Sequence, residues 1–240
     1  MIGHNHIGHN GRFGNQMFQY AATRGIAAKH GYQFAIPDGP KSDAAFTDEE
    51  EQHKLFMAFK MHGARSVFEL NAPYKQEGSF RFDEDFEFRD DVKKLCDEIW
   101  KEIVTDEGHA EAIGLHVRRT DHLIKPTYHP VLPISYYEEA LSKLPEDIPV
   151  FVFTDDPMWA FGHEFFESDR FFISESDNVH DMCLMSMCNY NIIANSTFSW
   201  WGAWLAGHNR VIGPKLWFGP DGEDPTDIYQ KEWEYLDVAN

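Results

Sequence analysis

The sequence predicts an α/β protein with parallel strands, and three observations carry the prediction. Short apolar runs alternate with helical patterns between Glu111 and Pro214, the rhythm of βα units joined by right-handed crossovers. The residues just after those runs are polar or charged, so chemistry gathers where such sheets bind ligands, at the strand carboxyl ends. Nearer the N-terminus a glycine turn opens a helical pattern that an apolar run follows, so the first half also reads as α/β.

Taken in order, Gly11-Arg12-Phe13-Gly14-Asn15-Gln16 reads as a turn into a helix over Met17 to Lys29, closed by Gly31. Tyr32 to Ile36 follows as a strand. A glycine turn at a helix start lets backbone amides approach an anion with the helix dipole behind them. A plain capping turn fits equally, because Gly11 and Gly14 do not complete Gly-x-Gly-x-x-Gly. Asp43 to Glu51 is charged and expected in solvent, and Asp90 to Val104 has the pattern of an amphipathic helix. Asp106-Glu107-Gly108 then reads as the boundary between a first domain over 1–108 and a second over 109–240.

In the second domain, strands are expected at Ile113 to Val117, Val150 to Phe153, Phe171 to Ile173, Asn191 to Ala194 and Arg210 to Ile212. Helices fill the gaps. Ser135 to Leu144 begins with a capping serine followed by Glu138, Pro157 suits the first turn of the next helix, and Val179 to Cys188 and Phe198 to Ala206 complete the set. Arg118 and Arg119, then Thr154 to Asp156, then Ser174 to Asp177, then Asn195 to Thr197 follow the strands. Arginine's planar fork matches phosphate geometry, so Arg118 and Arg119 point to a phosphorylated ligand.

Composition narrows where such a ligand binds. With 21 Lys plus Arg against 40 Asp plus Glu, the net charge of −19 repels nucleic acid and anionic membrane, leaving only a local pocket for anions. The uncharged stretch Met182 to Asn209 is interrupted by Asn189, Asn191, Asn195, Ser196, Thr197 and Ser199, so no transmembrane segment is expected. Three cysteines, Cys96, Cys183 and Cys188, cannot all pair and read as free buried thiols of a reducing compartment. The N-terminal stretch lacks a signal-like apolar run, and the place expected for the protein is the cytoplasm, free or peripheral to a membrane-bound assembly.

Three segments together resemble fucosyltransferases that use GDP-fucose, especially the α1,2-fucosyltransferases of glycosyltransferase family 11. The family begins with a glycine loop similar to residues 11–21 and carries a His-x-Arg-Arg-x-Asp segment similar to residues 116–121. It ends with a segment similar to Asn195-Ser196-Thr197-Phe198-Ser199-Trp200-Trp201-Gly202-Ala203-Trp204-Leu205, while Thr154-Asp155-Asp156-Pro157 and Trp159 fit its intervening part. The resemblance implies two Rossmann-like domains of the GT-B type, with the acceptor-side N-terminal half reduced. It implies inverting transfer of L-fucose from GDP-β-L-fucose to a glycan acceptor, an α1,2 linkage on a galactoside, without cofactor or essential metal.

By the same resemblance Arg118 holds the diphosphate, His116, Arg119 and Asp121 shape that pocket, and Ser196 and Thr197, beside Asn195, donate to phosphate. Asp155 or Asp156 orients the nucleotide or nearby loops, and Gly14, Asn15 and Gln16 belong to the donor side, Asn15 and Gln16 facing the reacting sugar. Arg118, His116 and Asn15 are the catalytic candidates. Related α1,6- and protein O-fucosyltransferases share the arginine segment, and Arg119-Thr120-Asp121 is similar to theirs.

Other readings compete. Asp83-Glu84-Asp85 has the Asp-x-Asp pattern of a metal-dependent transferase, which a chain this rich in acidic residues produces by chance. Asp155 with Asp156, or His4, His6 and His9, are further candidates for a cation. Arg118 and Arg119 also fit a structural network that neutralises Asp121 and Asp155. Of Trp200, Trp201 and Trp204, at least two are expected in the core and one is open to bordering the sugar site. Asn195-Ser196-Thr197 matches a glycosylation acceptor, disfavoured at a strand end. A nucleotide-sugar or carbohydrate binder without turnover, and a dinucleotide oxidoreductase lacking its glycine fingerprint, are the alternative classes. No general base stands out.

Overall fold

The computed structural model describes residues 2–3, 12–35 and 86–238. Gly11, Ile36, His4, His6 and His9, the Asp43 to Glu51 stretch and Asp83-Glu84-Asp85 lie outside the described residues. The chain divides into two compact units, Met1–Lys93 and Lys94–Asn240. The 106–108 turn thus lies inside the second unit.

In the first unit, strand β1 (Ile2–Gly3) pairs in parallel with β2 (Phe34–Ala35), and helix α1 (Phe13–His30) connects them. Helix α1 starts earlier than the sequence pattern places it. Gly14, Asn15 and Gln16 are therefore in its first turn and not in a loop before it, because Phe13, Met17 and Tyr20 form one buried stripe that extends the helix backward. Gly31 caps it at φ 64, the left-handed conformation that only glycine adopts without strain. Tyr20 meets Phe34 and Phe86 edge-on, with centroids 6.1 and 5.6 Å away.

Helix α2 (Asp90–Trp100) runs across the division and ends in a π-type turn, Lys101–Thr105, where one unbroken helix was expected. Its last residue, Trp100, stacks on Phe151, and the Cys96 thiol reaches the His180 carbonyl at 3.6 Å. Such packing fastens this end of the helix to the second unit.

The second unit is built on six parallel strands. They are β3 (Ile113–Val117), β4 (Val150–Thr154), β5 (Phe171–Ile173), β6 (Tyr190–Ile192), β7 (Val211–Pro214) and β8 (Glu234–Leu236), in the order β5-β4-β3-β6-β7-β8. The sheet is filled out by helices α3 (Thr120–Ile124), α4 (Ile134–Leu141), α5 (Pro157–Phe161), α6 (Asn178–Met187) and α7 (Thr197–Leu205). The chain grows outward from β3 through β4 to β5, then returns to lay β6 against the other side of β3. This is the strand order of dinucleotide-binding sheets, and the reversal opens a crevice between β3 and β6.

Local chemistry explains most boundaries. Asp156 caps α5 by accepting from the Trp159 amide at 3.3 Å, with Pro157 in the first turn; Asp177 caps α6 and Ser196 caps α7. The expected serine cap of α4 is not used: Pro133 stands at the N-cap and Ser135 lies within the helix. Strand β6 begins at Tyr190, one residue before its expected start, and its ladder runs on through the Ile193 amide to the Ile212 carbonyl. Strand β3 lies so close to β6 that a Cβ on Gly114 would stand 2.6 Å from Asn191 Oδ1. Val150 and Val152 of β4, Ile113 and Leu115 of β3 and Ile192 of β6 form the core with Tyr136 and Tyr137. Tyr136 pins α4 by donating to the Ile193 carbonyl at 2.7 Å. Among the described residues no helix is long and apolar enough to cross a membrane, and all three cysteines are buried and free.

Candidate functional site

The crevice edge is dominated by one charged network. Arg118 leaves the end of β3 with its side chain 12% exposed and forms two ion pairs, Nη2 with Asp121 Oδ1 at 2.8 Å and Nη1 with Asp155 Oδ2 at 3.2 Å. Arg119 extends the other way, its Nε 3.2 Å from Asp156 Oδ2 and its guanidinium 3.9 Å from the centre of the Trp159 ring. Neighbouring strands β3 and β4 bring these groups together because Val117 is in register with Thr154.

Asp155 is the hub. It accepts from the Arg119 amide at 2.8 Å, the Thr120 amide at 3.2 Å and the Thr120 hydroxyl, besides Arg118. Burial alone would raise its pKa, but Arg118, the Thr120 hydroxyl and the Arg119 amide together hold it below the ordinary carboxylate range. Asp156 serves both as the cap of α5 and as the partner of Arg119. Both aspartates of the pair thus face arginines. Among the described residues no group of three or more His, Cys, Asp or Glu is placed to hold a metal ion.

His116, next to the end of β3, is only 3% exposed and packs its ring 5.1 Å from that of Phe198. Burial first, and then Arg118, lower its pKa to about 3, so the ring is neutral. Its Nδ1 is buried without a hydrogen-bond partner. A neutral wall with one polar atom is what it offers.

On the β6 side, Asn195 is buried and spends its amide hydrogens on the carbonyls of Pro130 and Trp217, both at 3.0 Å. It clasps two loops across the crevice, which differs from a direct donor to phosphate. Ser196 accepts from the Phe198 amide at 3.3 Å and so caps α7, which Thr197 opens. Trp200 and Trp201 are buried in the core, as expected of at least two of the three, and Trp204, near the end of α7, is half-buried. Gly14, Asn15 and Gln16 belong to the first unit, where Asn15 is exposed and Gln16 buried in the first turn of α1.

Several neighbours carry no sequence signal of their own. Thr120 locks Asp155, and Tyr137 places a buried, unpartnered hydroxyl where Arg119 and Asp155 act on it. After the short helix α3, a groove of about 420 Å³ is lined by Asp121, Ile124, Lys125, Tyr128 and His129. The His129 ring stacks on His122 at 4.8 Å and meets Tyr128 edge-on at 4.5 Å. An irregular, proline-punctuated loop has no periodicity from which such a groove is readable.

Comparison with known proteins gives the architecture its relatives. The chain is 35% identical over 162 residues to the O-antigen biosynthesis glycosyltransferase WbnK of Escherichia coli, covering 62% of this chain and 52% of that protein. It is 34% identical over 134 residues to an E. coli alpha-1,2-colitosyltransferase, covering 51% and 46%. The chain thus spans about half the length of these two relatives. Galactoside alpha-(1,2)-fucosyltransferase 1 of Saimiri boliviensis boliviensis is 24% identical over 93% of this chain and 72% of its own. Crystal structures of the fucosyltransferase NodZ from Bradyrhizobium superpose with TM-scores of 0.51 and 0.53 at 15% identity, covering 81% of this chain and 89% of theirs, and share its α/β fold. The model of glycosyl transferase family 11 matches residues 59–237, most of the chain, and the chain belongs to that family.

Proposed function

We propose that the protein transfers L-fucose, with inversion, from GDP-β-L-fucose to a galactoside hydroxyl, forming an α1,2 linkage. The observation that carries this reading is the Arg118 fork, fixed at the crevice of a nucleotide-binding strand order in a chain of family 11. The α1,2 linkage in the names of two relatives supports the linkage, and the galactoside in one supports the acceptor. In this reading both units take the Rossmann-like form of a GT-B enzyme, with Gly14 and Gln16 on the donor side and Asn15 and Gln16 facing the reacting sugar.

As the anomeric C–O bond breaks, positive charge spreads over the sugar ring and negative charge gathers on the departing diphosphate. Arg118 donates its remaining N–H groups to that charge, and a fixed donor is worth most where charge develops. Ser196 and Thr197 donate beside it, while Asp121 and Asp155 hold the fork in place, Arg119 shapes the pocket, and Asp156 orients the nucleotide or nearby loops. His116 closes the floor as a neutral ring. No metal takes part: the diphosphate charge is met by arginine and hydroxyl donors. Buried free thiols fit a cytoplasmic setting.

The test is incubation with labelled GDP-fucose and a panel of galactosides, reading GDP release and the linkage by NMR. Acceptor-dependent GDP release with a 1,2-linked product is expected. Saturable binding without release makes the protein a binder. A second donor sugar is favoured by the 34% identity to the alpha-1,2-colitosyltransferase. Competition between GDP-fucose and GDP-colitose ranks the two.

A further inference from the structure

We propose that His129 is the base of the reaction, with the groove it lines as the place of the acceptor's reacting sugar; this rests on the fucosyltransferase reading above. The groove of about 420 Å³ stands beside Asp121, and Asp121 is bonded to Arg118 at 2.8 Å, so the groove opens next to the group assigned to the departing diphosphate. A hydroxyl nucleophile must approach from beside the donor, where its proton needs an acceptor within hydrogen-bond reach.

The groove supplies four polar side chains, and three are unsuited to accepting a proton. The Asp121 carboxylate is committed to Arg118. Lys125 offers an ammonium donor. Tyr128 keeps its phenolic proton more firmly than usual, through burial and the nearby Glu223. His129 remains.

Its ring is held from several sides: face to face with His122 at 4.8 Å, edge-on to Tyr128 at 4.5 Å and tilted against Phe218 at 5.6 Å. Nδ1 is buried and unpartnered, which leaves Nε2 as the nitrogen able to meet a ligand. Burial lowers the pKa of His129; Asp121 opposes this, while Arg118 and Lys125 reinforce it. The ring is therefore neutral at working pH, with Asp121 at hand to stabilise the charge it gains. His122, itself held near 4, stays neutral behind it.

The step balances. The acceptor O–H bond breaks and its proton passes to Nε2; the oxygen lone pair forms the bond to fucose C1 as the bond from C1 to the β-phosphate oxygen breaks, its electron pair leaving with GDP.

The full chain tests this in two variants. His129→Gln keeps polarity, and His129→Phe keeps the stack on His122. Both are expected to lose about 100-fold or more in kcat for transfer. GDP affinity by titration calorimetry and KM for GDP-fucose should change less than about threefold, since uniform binding is untouched. The acid limb of the kcat/KM profile should vanish. If either variant folds, binds GDP and transfers within threefold of the parent with the acid limb intact, the role of His129 is wrong. A parent chain that itself releases no GDP with any acceptor instead removes the fucosyltransferase reading, and this inference with it.

Discussion

Replacing Asp155 by asparagine tests whether the arginine network is the keystone of the crevice. The carboxylate, 14% exposed, receives two backbone amides, the Thr120 hydroxyl and the Arg118 guanidinium. Asparagine keeps the shape but turns one acceptor into a donor facing other donors, and it removes the charge opposite Arg118. Breaking a buried ion pair from one side costs about 3–5 kcal/mol. Arg118 keeps Asp121 at 2.8 Å, so the lower end, about 3 kcal/mol, is expected. For a chain of this size that corresponds to about 6–12 °C in Tm.

The pH dependence adds a sign. Because the folded-state pKa of Asp155 lies below the unfolded value of about 3.9, its contribution is present above that pH and is lost as pH falls through it towards the folded value. Urea unfolding followed by tryptophan fluorescence, repeated from pH 7 to pH 3, should show Asp155→Asn destabilised at neutral pH with a shallower loss of stability on the acid side. A variant within about 0.5 kcal/mol of the parent at pH 7, with an unchanged acid slope, refutes the keystone role.

Three further outcomes follow from the same geometry. Arg118→Ala should lower kcat by at least about 100-fold, since it removes donors to developing charge and strips Asp121 and Asp155 of their cation; Arg118→Lys should recover only part of this in the same steady-state assay. Gly219→Ala should cost about 1–3 kcal/mol in urea unfolding, because the new Cβ would collide with the Thr127 carbonyl oxygen, which as backbone cannot swing aside. Transfer assayed in excess chelator should keep the untreated rate, and a rate that collapses and returns with manganese would overturn metal independence.

The sheet was legible because its signal is physical and local. A buried central parallel strand reads as a nearly continuous apolar run, and Ile113 to Val117, fully buried, stands where that run begins and ends; Phe171 to Ile173, half-buried at the sheet edge, is also an apolar run. Asp156 followed by Pro157 announced its helix because a capping carboxylate and a fixed φ are needed there. The eighth strand, Glu234–Leu236, was not legible: unlike the other three-residue edge strand, Phe171–Ile173, it has no apolar run, its first residue being an exposed glutamate. Of the site, the residues at strand ends were readable from register with β3. Asn195 shows the limit, since its type and place point to a polar site, while only the fold reveals that Pro130 and Trp217 take its hydrogens.

The network also changes what the arginine pair does. Arg118 and Arg119 are met by Asp121, Asp155 and Asp156, so these five side chains carry no excess of positive charge. Attraction by net charge is then a poor account of anion recognition here. A guanidinium has five N–H donors in a rigid plane, and Asp121 and Asp155 each pair with one terminal nitrogen of Arg118, which fixes the fork. On the proposed reaction the carboxylates would weaken ground-state attraction for a diphosphate and remove the reorganisation otherwise needed as its charge grows. That balance favours the transition state over the bound donor, which is the condition for raising kcat and not merely lowering KM. On the proposed reaction, the structural and catalytic readings of the arginines are one arrangement: the ion pairs hold the fork that would act on the leaving group.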